Sequence, residues 1–223
     1  MWLFLDESGT GTDDPELLVG AVAIPDADHA ERRLWEIQRT AYGDNSLWVA
    51  LEHKREQFRS TGFHFTEDSW AVRDRILGWI RTARLRSYVA FSKNDPSQHF
   101  TTIERMCLMY GLLIRAAYLR YRGFHLHLVF EENEQMNGLY GPIWAQVASE
   151  LGVAPESATV LIGSKTAPGL SVIDSILGVL RVGRSASAQP HERERVSWLV
   201  SNVAYLIDFD LDKHIGDRRR PIL

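Results

Sequence analysis

The chain has 223 residues, of which 45% are hydrophobic and 24% charged, with a net charge of -4 and a pI near 6.1. These values suit a folded protein with a sizeable core, and disorder is not expected. One cysteine, Cys107, excludes an internal disulfide and zinc sites of paired cysteines. The acidic balance argues against a wholly basic surface, although 25 Lys and Arg leave room for a local groove that takes nucleic acid. Cys107 sits in Met106-Cys107-Leu108-Met109 and reads as a small buried hydrophobe. No basic start with an apolar stretch behind it precedes Asp6, so a leader peptide is not expected. The longest apolar run, Leu108 to Leu119, is broken by Arg115 and is shorter than the ~20 residues a bilayer requires. A cytoplasmic protein with no membrane partner is expected.

Trp2 to Leu5 is an unbroken apolar run, as in a strand buried on both faces, and it gives way at Asp6-Glu7-Ser8-Gly9 to a polar turn. Leu17 to Ile24 is a second apolar, β-branched run closed by Pro25, so the two form an antiparallel hairpin. Ala27 to Tyr42 has helical spacing at Leu34, Ile37 and Ala41. Asp44 to Gly62 is polar and reads as a short helix and a loop. Trp70 to Ala83 is a helix that Thr66 or Ser69 caps. Ser87 to Ser92 is a strand, Thr101 to Arg122 the longest helix, and Leu126 to Phe130 a strand ending in Glu131-Glu132-Asn133-Glu134. A helix over Leu139 to Leu151, a strand over Thr159 to Ile162, a helix over Leu170 to Val182 and a last helix over His191 to Ile207 complete the chain. This order resembles the ribonuclease H-like fold: an α/β protein with a mixed five-stranded sheet flanked by helices. Residues 1–223 then form one domain, with a helical insertion at about 27–84 after the second strand and a C-terminal helix.

Acids stand where the strands end. Asp6 and Glu7 follow an apolar strand, and alternation sends them to opposite faces, with Asp6 the better metal ligand and Glu7 a turn-shaping neighbour. Glu131 repeats the pattern after Phe130, at the strand edge where open α/β sheets place ligands. Asp174 is a lone acid among the apolar residues Leu170 to Leu180. Three hard oxygen donors suit Mg²⁺ or Mn²⁺. Divalent ions held by carboxylates offset the charge of a phosphodiester and activate water against it. His64 in Gly62-Phe63-His64-Phe65-Thr66-Glu67-Asp68 and Lys165 in Ser164-Lys165-Thr166 are further candidates, as a packing or proton-exchanging imidazole and a phosphate contact. Glu104, Glu132 and Glu134 read first as surface charges, and Arg218-Arg219-Arg220 as a basic patch that solvent or a phosphate would meet.

With Asp6-Glu7-Ser8-Gly9, His64-Phe65 with Glu67, Glu131, and Ser164-Lys165 before Asp174, the chain resembles domain-of-unknown-function family 3800 from about residue 2 to 210. The resemblance implies a ribonuclease H-like fold and a nuclease role. Two positions depart from the family pattern: Glu131 stands in place of an aspartate, and Ser171 in place of the glutamine of Gln-x-x-Asp. The expected function is a divalent-metal-dependent nuclease with RNA or DNA as substrate, using Asp6, Glu131 and Asp174 for metal and Glu7, His64 and Lys165 in support. The alternatives are a catalytically inactive module binding nucleic acid or a protein partner, and an enzyme of small phosphorylated metabolites. The residues choose neither between RNA and DNA nor an oligomeric state.

Overall fold

The computed structural model describes residues 1–11, 13–49, 51–95, 99–164 and 166–216. Strand β1 (Trp2–Ser8) pairs antiparallel with β2 (Glu16–Ile24), which pairs antiparallel with β3 (Arg86–Lys93). Between β2 and β3 lie α1 (Ala27–Gly43), α2 (Glu52–Thr61) and α3 (Trp70–Thr82). Helix α4 (Thr102–Arg120) leads to β4 (Leu126–Glu131), parallel to β1. Helix α5 (Tyr140–Leu151) leads to β5 (Ala158–Gly163), parallel to β4. Then come α6 (Pro168–Arg184), α7 (Pro190–Leu199), β6 (Val203–Asp208), parallel to β3, and β7 (Lys213–Gly216), antiparallel to β6. The strands form one mixed sheet in the order β5-β4-β1-β2-β3-β6-β7.

Alternation along the strands divides the interior in two. Leu3 and Leu5 of β1, with Leu126, Leu128 and Phe130 of β4, pack under α4 and α5. Phe4 and Val129 face the opposite way, toward α6, and share that core with α1, α3 and α7. Helix α6 is pressed close to the sheet by missing side chains. A Cβ on Gly169 would lie 2.4 Å from the Phe4 ring, and one on Gly20 would lie 2.7 Å from the tips of Ile173 and Leu177. Each of those glycines therefore sets how near the helix can lie. Among the described residues no helix is long and apolar enough to cross a membrane.

The five expected strands are present in the expected order, and the chain adds two. The helix expected over His191 to Ile207 ends at Leu199, and Val203–Asp208 is a strand. The physical reason lies at Asn202, whose carbonyl accepts from Ser87 N–H at 2.8 Å while its amide donates to Ala83 O at 3.2 Å. Those bonds seat the following residues beside β3, where Val203 and Leu206 enter one core and Ile207 the other. Strand β1 also runs through Asp6 and Glu7 to Ser8, because β2 continues to pair with it as far as Leu18. Residues 44–62 hold a 3₁₀ turn, Asn45–Trp48, as well as α2. Ser69, not Thr66, is the first-turn flank of α3, and its side chain makes no capping bond. Cys107 is half-buried on α4 and not interior.

Candidate active site

The parity of the strands brings two acids together. Asp6 shares the face of Phe4, and Glu131 shares the face of Val129, so both look toward α6. The parallel register pairs Leu5 with Phe130, and the next residues along the two strands are Asp6 and Glu131. Asp6 is buried, at 4% exposure, and its carboxyl is in hydrogen-bond contact with that of Glu131. Burial first, then that contact and the nearby charges of Glu131, Asp174 and Glu7, push the Asp6 carboxyl well above the usual carboxylate range. Asp6 Oδ1 also accepts from Glu7 N–H at 2.7 Å.

Asp174 approaches from α6, whose apolar residues Leu170, Val172, Ile173, Ile176 and Leu177 are buried around it. Its Oδ2 accepts from Phe65 N–H at 2.7 Å and lies 3.9 Å from His64 Nδ1. His64 Nδ1 is in turn 3.2 Å from Thr66 Oγ1. A cleft of about 300 Å³ is lined by Asp6, Glu7, Glu131, His64 and Asp174, with Ser8, Thr10, Thr66, Asn133 and Ser171 also on its wall. Of the six candidate residues, five therefore border one cleft, and Lys165 lies outside the described residues, as do Arg218 to Arg220. Glu132 is exposed at the rim. Glu134 is exposed and is not on the cleft wall. Glu104 is used elsewhere: its carboxylate accepts from Thr101 N–H at 2.8 Å and closes a capping box on α4.

Glu7 has the support that alternation implies. Its carboxylate accepts from the Tyr110 hydroxyl of α4 and from Asn133 Nδ2, the latter at 2.6 Å. Burial, and then the Glu7 charge, push the Tyr110 hydroxyl up, which keeps it a donor. Neither partner stood out in the sequence, because Tyr110 lies 103 residues from Glu7 and Asn133 lies 126 away. Asp68 also flanks the site, and the sequence marks it only weakly. Its Oδ2 accepts from His64 N–H at 2.9 Å, and burial pushes its carboxyl up to about 7 against the lowering influence of that bond and of Arg73. The one available signal was its place four residues after His64 in an acidic turn. The donor chemistry is all oxygen with a nearby imidazole. Among the described residues no group of three or more His, Cys, Asp or Glu is already gathered as a metal-holding cluster.

No family model matches the chain, and no curated protein is significantly similar to it. Among solved structures it is similar to ribonuclease HII of Archaeoglobus fulgidus, determined in complex with PCNA, with a TM-score of 0.50 and 17% identity over 90% of this chain and 89% of that one. At that identity the likeness shows the fold and not the chemistry: the chain has a ribonuclease H-like α/β fold, here with a seven-stranded sheet.

Proposed function

We propose that this chain is a divalent-metal-dependent nuclease that hydrolyses phosphodiester bonds of RNA or DNA, and a member of domain-of-unknown-function family 3800. The observation that carries the reading is the contact between the buried carboxyl of Asp6 and the half-buried carboxyl of Glu131, at the carboxyl ends of adjacent parallel strands, with Asp174 facing them from α6. Such a set, once ionised, repels itself without a cation, and its hard oxygens fit Mg²⁺ or Mn²⁺. Asp6 and Glu131 would hold the ion from the sheet and Asp174 from the helix. A bound divalent ion supplies positive charge against the phosphodiester and lowers the pKa of a neighbouring water. The chain does the rest. The Phe65 N–H fixes the Asp174 carboxylate, Tyr110 and Asn133 fix Glu7, and His64 offers an imidazole for proton exchange at the leaving oxygen.

In the test, Asp6→Asn and Asp174→Asn are each assayed on RNA and DNA with Mg²⁺ or Mn²⁺. Each is expected to lose at least about a hundredfold in cleavage while its circular dichroism spectrum stays that of wild type. Cleavage that survives both substitutions would overturn the assignment. A second reading, an inactive module binding nucleic acid or a protein partner, is favoured by the carboxylates not being drawn into a ready metal cluster. It requires binding that persists in EDTA and no cleavage with any divalent ion.

A further inference from the structure

Asp174 stands on a different element from Asp6 and Glu131, so its direction depends on what fixes it against the sheet. We propose that Phe65 and Gly178 are positioning residues for Asp174: the Phe65 ring seats in the gap left by Gly178, and this delivers the Phe65 N–H to the carboxylate. The inference rests on the reading of Asp174 as a metal donor.

Asp174 and Gly178 are four residues apart and so share one face of α6. A Cβ on Gly178 would lie 2.1 Å from Cγ and Cδ1 of Phe65, a distance that no side chain tolerates. The ring itself is buried, and two further side chains hold it. The Arg73 guanidinium lies 4.2 Å from its centroid, and Trp70 meets it edge-on at 5.6 Å. The backbone around it is closed by Asp68, which accepts from His64 N–H at 2.9 Å and donates its own N–H to His64 O at 3.0 Å. With the ring seated and the turn closed, the Phe65 N–H reaches Asp174 Oδ2 at 2.7 Å. A hydrogen bond to a charged oxygen at that distance is strong and directional. Alanine is a better residue than glycine in the middle of a helix, so α6 by itself gives no reason for Gly178. The slot for Phe65 does.

The test uses the full chain labelled with ¹⁵N, free of metal, together with Mn²⁺ binding followed by the electron paramagnetic resonance of the free ion. Gly178→Ala is expected to move the Phe65 amide proton upfield, as its bond lengthens, and to weaken Mn²⁺ binding about tenfold while the fold persists. Gly183→Ala is the control. Its Cβ would crowd Val196 of α7 at 2.2 Å, neither residue lines the cleft, and it is expected to leave both readouts unchanged. In a Phe65→Ala background the Gly178→Ala substitution is expected to have little further effect on Mn²⁺ binding, because no ring remains to be expelled. An unmoved Phe65 amide in Gly178→Ala, unchanged Mn²⁺ affinity, or an equal loss in both backgrounds overturns the proposal. Should Gly178→Ala not fold, Phe65→Ala alone decides: about tenfold weaker Mn²⁺ binding supports it and unchanged binding overturns it. If the wild-type chain binds no Mn²⁺, the metal reading falls, and the amide shift still judges the Phe65–Gly178 contact separately.

Discussion

Asp6 is held at 4% exposure against a second carboxyl, and nothing in the packing of β1 calls for an acid there. An ionised carboxylate so placed opposes folding, and an uncharged amide of the same shape does not. Asp6→Asn is therefore expected to stabilise the metal-free protein at neutral pH by roughly 1–3 kcal/mol, read as a higher urea midpoint. Mn²⁺ should raise the midpoint of the wild-type chain and leave that of Asp6→Asn in place. A substitution that lowers the midpoint would mean that the Asp6 carboxylate serves the fold and not a ligand. At this scale much was legible. The period of two separated Asp6 from Glu7, and the apolar neighbours of Asp174 marked it as an acid in need of a partner. The partners themselves were not legible, since Asp174 meets a backbone N–H 109 residues away and Glu7 a hydroxyl 103 away. Such contacts follow from the register of whole elements, and single residues do not encode them.

Helix α6 carries Asp174 into place only because it lies close to β1. Gly169→Ala would set a methyl 2.4 Å from the Phe4 ring and lift the first turn of the helix. Overpacking of this kind costs about 1–3 kcal/mol, and the expected signature is a loss of cleavage larger than the loss of stability explains. Equal cleavage per folded molecule would show that the helix seat tolerates the shift. The far end of α6 is tied to β2 by Arg184, which forks onto Glu16 at 3.1 and 3.3 Å and covers the Phe91 ring at 3.7 Å. The sequence announces α6 itself through its apolar run, and the hairpin through Pro25 and the β-branched residues. It hides β6. Val203 to Ile207 could continue a helix by composition, and the bonds of Asn202 to Ala83 and Ser87, with the pairing to β3 that follows them, decide for a strand. The end of β1 was misplaced for a related reason, because polar Asp6 and Glu7 look like a turn until β2 pairs with them.

Among the described residues the Asp6 and Asp68 carboxyls are displaced upward, and their effect on stability has one sign. Asp68 has an ordinary value of 3.8 and is pushed up to about 7, chiefly by burial. Asp6 is raised well above the usual carboxylate range, first by the same cause and then by Glu131 beside it. A group raised in the folded state contributes stability that is complete below its unfolded value and is lost as pH rises through its folded value. The metal-free protein is thus expected to become less stable from about pH 4 to about pH 7, opposite to the usual behaviour of paired carboxylates. Asp44 and Glu104 are displaced downward by hydrogen bonds at helix starts and act in the other direction, losing stability as pH falls. Both are at the surface, where solvent screens such contributions, so Asp6 and Asp68 weigh more in the sign. Asp68→Asn should flatten the part of the curve that leads up to pH 7, and Asp6→Asn should also make the fall with pH shallower. Saturating Mn²⁺ should reverse the slope, because the ion binds deprotonated carboxylates and gains affinity as pH rises. Melting temperatures of the three chains across that range, with and without Mn²⁺, measure this directly. A metal-free wild-type curve that rises with pH would show that Asp6 and Asp68 are ionised without penalty, and the carboxylate cluster would then lose the strain that makes a cation its natural partner.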